Sequence, residues 1–391
     1  MNRILLIGLT PFASGINTFI KNTYPYMDHD LFRYDFLMME KYRDRPLPAQ
    51  FDTAGSSFHY LDFTRDGIPE ASREKLRDIL ASIPDLCGVH VHDMHQMTYP
   101  LALADRMGLP VKVIQFHTGR PKHQKERPAE PEVMERLELI RGDRFDRLAC
   151  SDLAGEEGFR GMPFEVVPNG IDPDRFAFRP LYRELIRRRL RISEETSVLG
   201  FFANIHEVKN PIFALRVFRE LLKFSPESVL LFAGLNHTDP KLRGAIREYG
   251  LEARVRFVQT DDSIDMLYSA ADLLLFPSLR EGFPFVLLEA QASGLPCLIS
   301  DEVTDQVRIT DLAHMLPLEK GPEIWAKKAL QILQGKTNRM SRGKEIAAAG
   351  FHVADAAKKI QNLYLYRIRG DGSANRATPG KNGSCYTDMQ S

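Results

Sequence analysis

Four cysteines in 391 residues (Cys87, Cys150, Cys297 and Cys385), with no Cys-x-x-Cys pair among them, give neither a disulfide frame nor a thiolate zinc site. They fit reduced, structural thiols of a cytoplasmic protein. No charge of either sign is in excess: 52 Lys and Arg balance 52 Asp and Glu. That argues against nucleic acid as a partner, because binding the phosphate backbone usually shows as a basic surplus. No apolar run approaches the ~20 residues of a membrane span. The opening Ile4-Leu5-Leu6-Ile7 run breaks at Gly8 and Pro11, too soon for a signal peptide, and reads as a first buried strand. A Gly-x-Gly-x-x-Gly fingerprint is missing after it. Leu9-Thr10-Pro11-Phe12-Ala13 stands there instead, which argues against a nicotinamide oxidoreductase.

What the chain does have is alternation. Its length exceeds what one hydrophobic core usually serves, so two domains are expected. Short apolar runs fit strands at Arg3–Gly8, Tyr34–Met39, Ser57–Leu61, Gly88–Val91, Lys112–Phe116, Arg147–Cys150 and Phe164–Val167. Amphipathic stretches fit helices at Gly15–Tyr26, Pro69–Ser82, Tyr99–Met107 and Pro131–Gly142. A second set follows Phe178. Its strands are Val198–Ala203, Val229–Ala233, Val255–Val258, Leu273–Phe276 and Pro296–Ser300, and its helices are Pro211–Phe224, Pro240–Tyr249, Ile264–Ala270, Phe285–Ser293 and Glu323–Leu333. Strands alternating with helices predict a parallel sheet covered on both faces, once in each half. The expected class is therefore α/β, with two doubly wound Rossmann-like domains at 1–178 and 179–350 facing across a cleft. A late helix, Ala354–Tyr364 within 351–366, is expected to return to the first domain. The polar stretch 367–391 reads as a disordered tail.

The densest motif is Phe276-Pro277-Ser278-Leu279-Arg280-Glu281-Gly282-Phe283-Pro284-Phe285-Val286-Leu287-Leu288-Glu289. A strand ends near Phe276, a loop carries Glu281, and Pro284 is expected at the first position of a helix. The open N–H groups of that helix end suit a phosphate. Gly282, Phe283, Phe285 and Val286 would line it. Glu289 lies five residues in, roughly 7 Å along the axis, about the span from a phosphate to its ribose. Glu281 would face the other end of a diphosphate. Two Asp-x-Asp segments, Asp28-His29-Asp30 and Asp172-Pro173-Asp174, read as turns rather than metal sites. His90 and His92 alternate along a strand and read as structural. Arg187-Arg188-Arg189 reads as a solvated helix face in preference to a membrane-surface patch.

The segment from Glu281 to Glu319, with Glu289-Ala-Gln-Ala-Ser-Gly-Leu-Pro and Thr304-Asp305, resembles family-4 retaining glycosyltransferases of the GT-B fold, in the capsular and exopolysaccharide branch. The resemblance extends from Arg3 to about Tyr366. It implies a nucleotide-diphosphate sugar donor, retention at the anomeric carbon, no catalytic metal or other cofactor, and a saccharide or lipid-linked acceptor. By family frequency the nucleotide is UDP, with base contacts near Val258. The resemblance places Gly15 under the diphosphate, His117 at the donor sugar and Lys209 beside the leaving diphosphate. His117, Glu281 and Lys209 are the expected catalytic set. One departure stands out: the family's usual arginine is replaced by Asn204, for which His206 and Arg280 are the nearest substitute charges in sequence. A non-catalytic sugar-nucleotide-binding subunit stays open as the alternative, and a nucleotide-sugar 2-epimerase is the weaker rival. The expected location is cytoplasmic, with peripheral contact at the inner membrane face admitted.

Overall fold

The computed structural model describes the chain except residues 13, 47–50, 52–54, 64–66, 93–97, 119–130, 237, 259–263, 336–338 and 371–391. The first seven strands are β1 Asn2–Ile7, β2 Phe32–Met39, β3 Phe58–Leu61, β4 Leu86–Val91, β5 Val111–Phe116, β6 Asp146–Ala149 and β7 Glu165–Val166. They form one parallel sheet in the order β3-β2-β1-β4-β5-β6-β7. Helices α1 Gly15–Thr23, α2 Glu70–Ser82, α3 Tyr99–Arg106, α4 Pro131–Glu138 and α5 Asp152–Phe159 connect them. After α6 Pro180–Leu190 comes a second parallel sheet. Its strands are β8 Val198–Phe202, β9 Val229–Ala233, β10 Val255–Val258, β11 Leu273–Phe276, β12 Cys297–Ser300 and β13 Ala313–Leu316, ordered β10-β9-β8-β11-β12-β13. Helices α7 Pro211–Leu222, α8 Pro240–Glu248, α9 Ile264–Ala270, α10 Phe285–Ala292 and α11 Gly321–Gln334 cover it. Two short turns of helix, beginning with α12 Gly343–Ile346, lead to α13 Val353–Arg369.

Every residue of β5, β8, β9, β11 and β12 is buried. Burial on both faces is what a parallel sheet with crossover helices imposes, and it explains the unbroken apolar runs. In each sheet the strand order reverses once, between β1 and β4 and again between β8 and β11. Loops leaving the carboxyl ends of those strands diverge and open a crevice, where ligands of doubly wound folds bind. Gly8, at the end of β1, has φ +129° and lies so close to the chain after β4 that a Cβ would meet the carbonyl oxygen of His92 at 2.3 Å.

Several expected elements are corrected. Helix α5 was not among the expected helices, and it carries two glycines, Gly155 and Gly158. Both are needed for packing, since a Cβ at either would strike the ring of Phe164 or Phe116 at 2.1 Å. Strand β13 is a short edge strand with too little pattern to read. Arg187 on α6 is not solvated: it is 1% exposed, donates to Asp272 Oδ2 at 2.7 Å and binds the carbonyls of Ala270, Ser193, Glu194 and Thr196. It ties the start of the second sheet together, while Arg188 and Arg189 stay exposed. Helix α10 starts at Phe285, with Pro284 as its cap rather than its first residue. Helix α13 continues to Arg369, where the tail was expected from Arg367, because Arg367 pairs with Asp146 through Nε at 2.8 Å and Nη2 at 2.7 Å. Gly370 caps that helix, and the expected tail from 371 lies outside the described residues. Among the described residues, no helix is long and apolar enough to cross a membrane.

Candidate active site

The site is built around the loops after β8 and β11, which are neighbours in the sheet. After β8 the chain makes a single turn, Glu207–Lys209. His206 caps that turn by accepting from the Val208 N–H at 3.3 Å, and Asn210 ends it in the left-handed conformation. After β11, Ser278 donates to Glu281 Oε1 at 2.5 Å and lies 3.1 Å from the carbonyl of Val208, which also accepts from the Leu279 N–H. Ser300 on β12 donates to the Ser278 carbonyl. These bonds bring Lys209 Nζ to 2.5 Å from Glu281 Oε1. The expected picture had Lys209 at the diphosphate and Glu281 at the sugar as separate groups. Here they form one ion pair, with Lys209 28% and Glu281 11% exposed.

Directly after the pair come Gly282 and Phe283, then the N-terminus of α10. Its cap, Pro284, has extended backbone and offers no side-chain acceptor to the first-turn N–H groups of Phe285 and Val286. That leaves donors and the positive end of the helix dipole for an anion. Glu289 lies about one turn along the same helix and is 7% exposed. Burial pushes its carboxyl up to about 7, and Asp265 adds to the rise; the Tyr268 hydroxyl and Arg175 oppose it. Tyr268 OH donates to Glu289 Oε2 at 2.5 Å. Val258, expected near the base, ends β10 and is buried; the residues after it are outside those described.

The first domain grips this loop from across the cleft. A Cβ on Gly282 would lie 2.2 Å from the carbonyl oxygen of His117, so only glycine allows the approach. Ser151 donates to the Gly282 carbonyl at 3.0 Å, and Asn169 Nδ2 donates to the Phe283 carbonyl at 2.6 Å. Phe283 stacks on Phe351 with ring centroids 4.9 Å apart. His117 follows β5, with Nε2 3.3 Å from His92 Nδ1 and its ring 5.0 Å from Phe19. Burial pulls its pKa down to about 3, so it is a neutral imidazole at any physiological pH. His92 stacks on His90 at 3.9 Å, and His90 Nδ1 lies 2.5 Å from Tyr364 OH. Both belong to the packing between the first sheet and α13.

Gly15 opens α1 after Ser14, whose Oγ accepts from the Asn17 N–H at 3.1 Å. A Cβ there would meet nothing within 4 Å, so no protein atom requires glycine. Gly15→Ala should leave the melting temperature unchanged or slightly higher, since alanine favours helix. Its KM for donor should rise at least several-fold if a diphosphate lies against that backbone. Calorimetry with donor kinetics reads both, and unchanged kinetics would remove Gly15 from the site.

Asn204 has a structural task. Its Oδ1 accepts from the Leu235 N–H at 3.1 Å, joining the loops after β8 and β9. Arginine, which has no acceptor, could not make that bond. His206 is exposed and uses Nδ1 as an acceptor for its cap, a bond a protonated ring would lose. It is therefore a poor substitute for the absent charge. Arg280 lies exposed one residue before Glu281. The Asp-x-Asp segments are turns: Asp28 accepts from the N–H of Asp30 and Leu31, and Asp172 from that of Asp174. Ser151, Asn169, Tyr268 and Ser278 were not singled out from sequence. Of these, only Asn169 lies in a recognisable local pattern, the turn-forming Asn-Gly-Ile-Asp-Pro segment.

Two doubly wound parallel α/β domains form the GT-B fold. Residues 182–346 match the family model for Glycosyl transferases group 1, so the second domain carries a glycosyltransferase signature on that fold. The chain is 28% identical over 360 residues to the putative glycosyltransferase EpsF of Bacillus subtilis (strain 168), covering 90% of this chain and 93% of EpsF. It is 36% identical over 213 residues to a D-inositol 3-phosphate glycosyltransferase of Corynebacterium jeikeium (strain K411), a match spanning 51% of each. It is 23% identical over 293 residues to an Escherichia coli UDP-Gal:alpha-D-GlcNAc-diphosphoundecaprenol alpha-1,3-galactosyltransferase, covering 71% and 74%. Among solved structures, a Rickettsia africae glycosyltransferase superposes with TM-score 0.74 at 13% identity, covering 95% of this chain and 99% of that one. Anabaena Alr3699/HepE, crystallised with UDP and glucose, gives 0.71 at 16% identity, covering 93% and 99%.

Proposed function

We propose that this chain is a retaining, metal-independent glycosyltransferase. It moves a sugar from a UDP-sugar to a saccharide or lipid-linked acceptor in capsular or exopolysaccharide synthesis. The observation that carries this reading is the Lys209–Glu281 pair beside the open N-terminus of α10, with Glu289 one turn further on. The diphosphate lies over the helix end, the ribose reaches Glu289, and the sugar reaches Glu281 beneath His117. As the bond from C1 to the phosphate oxygen breaks, negative charge builds on the diphosphate. Lys209 and about half a charge from the helix oppose it. The acceptor oxygen attacks C1 on the same face, and its proton passes to the departing phosphate oxygen. Glu281 is tied to Lys209 and Ser278, which suits positioning better than covalent attack. The EpsF relative supports the glycosyltransferase reading, and the diphosphoundecaprenol-linked acceptor in the Escherichia coli relative's name supports the acceptor class.

The test is a panel of nucleotide sugars by thermal shift, followed by nucleotide release with acceptor. A UDP-sugar should stabilise the chain and turn over. Because Lys209 and the helix end serve the diphosphate, turnover should survive EDTA. Abolition by EDTA with rescue by manganese or magnesium would contradict the leaving-group account. Tight nucleotide binding without turnover on any donor and acceptor would favour a binding subunit instead.

A further inference from the structure

Glu289 is a carboxylate in an expensive place. It is 7% exposed, and the groups around it disagree. Asp265, on α9, raises its pKa along with burial; Arg175, in the segment before α6, and Tyr268 on α9 oppose them. Tyr268 is fully buried, and its phenol is held from several sides. Phe202 and Phe176 meet its ring edge-on at 5.3 and 6.0 Å, and Arg339 Nη2 binds its carbonyl at 2.6 Å. Burial and the adjacent Glu289 raise its own pKa far above the ordinary value, with Cys297 of β12 adding to the rise. The hydroxyl therefore keeps its proton and donates it to Oε2 of Glu289 at 2.5 Å.

A carboxylate with one oxygen taken by a fixed donor has one way to face a ligand. Resting on the placement of Glu289 at the ribose proposed above, we propose that Tyr268 is a positioning residue of the nucleotide site. Its hydroxyl occupies Oε2 of Glu289 and leaves Oε1 as the acceptor for the ribose diol. A charge-assisted bond of this kind also favours the ionised carboxyl that a donor hydroxyl needs. Without the phenol, Glu289 would lose its fixed donor and hold its proton to higher pH.

The experiment measures the affinity of the full chain for UDP-glucose and for its 2′,3′-dideoxyribose analogue, between about pH 6 and 9. The pyrophosphate of UDP-glucose does not itself titrate there. Wild type should bind UDP-glucose more tightly as pH rises through the carboxyl midpoint and level off above it, and should bind the dideoxy analogue weakly throughout. Tyr268→Phe should lose about tenfold in UDP-glucose affinity near neutrality, move the midpoint upward and recover only in part at alkaline pH, where the carboxyl is ionised but no longer held. Phe202→Leu, which loosens the ring's packing but keeps the hydroxyl, should leave the midpoint in place. If Tyr268→Phe does not fold, 3-fluorotyrosine replaces it, and the more acidic phenol should move the midpoint down. A preserved ribose preference with an unmoved midpoint in Tyr268→Phe, or in the fluorinated chain, overturns the role of Tyr268 alone. Equal binding of both nucleotides by wild type overturns the ribose placement of Glu289, and this role with it.

Discussion

Replacing Glu281 by alanine should cut glycosyl transfer by about 10²–10³-fold, the size of effect seen when one preorganised polar contact to a transition state is removed. UDP should bind no more weakly than to wild type. Glu281 neutralises Lys209 at 2.5 Å, so on the proposed reading its removal would leave the ammonium free for the phosphates. Lys209→Ala should behave differently. It strands a carboxylate that is 11% exposed, with Ser278 donating to it, next to where the proposed site would hold the diphosphate. Leaving one partner of such a pair uncompensated is costly. Both UDP affinity and turnover should fall, and the double variant should bind UDP better than Lys209→Ala alone. Steady-state kinetics and calorimetry on the three variants check this coupling. Strictly additive losses would mean that the pair does not act as a unit.

Glu289→Gln should lose about 10–100-fold in donor affinity while making the empty protein more stable at pH 8. The sign follows from burial. In the folded chain the carboxyl holds its proton up to about 7, whereas an ordinary glutamate releases it near 4.5. Between those values the folded state binds more protons, so its stability declines as pH rises. Above about pH 7 the full penalty applies, on the order of 3 kcal/mol at most. Glutamine keeps the shape without the charge. Thermal unfolding at pH 5 and pH 8 should show the variant gaining over wild type mainly at the higher pH, as expected where a site is optimised for ligand rather than stability. A variant less stable at pH 8 would mean that the carboxylate's bonds to its neighbours outweigh its desolvation.

Much of this architecture is legible in the sequence because parallel strands buried on both faces leave unbroken apolar runs. Val229–Ala233, Val255–Val258 and Leu273–Phe276 have the same bounds in both readings. The glutamates of the loop and α10 are legible for a related reason, since a strand, a polar loop and a helix start follow one another in one short segment. Less legible is what depends on packing. Gly155 and Gly158 argue against a helix locally, and only the rings of Phe164 and Phe116 explain them. Arg187 looks like a surface charge until Asp272, 85 residues away, is brought beside it. Ser151 and Asn169 act on carbonyls 131 and 114 residues distant, which no local pattern encodes. The ion pair of Lys209 with Glu281 spans 72 residues, so two residues could be singled out without their contact being foreseen.

The central claim is transfer on the same face at a site where Glu281 positions and Lys209 with α10 stabilises the leaving diphosphate. The most direct measurement is the anomeric configuration of the glycosidic linkage formed from an α-linked UDP-sugar, read by proton NMR of the transfer product. The account predicts an α-linked product, formed by wild type and lost in Glu281→Ala. A β-linked product would contradict it, because inversion needs a base opposite the leaving group.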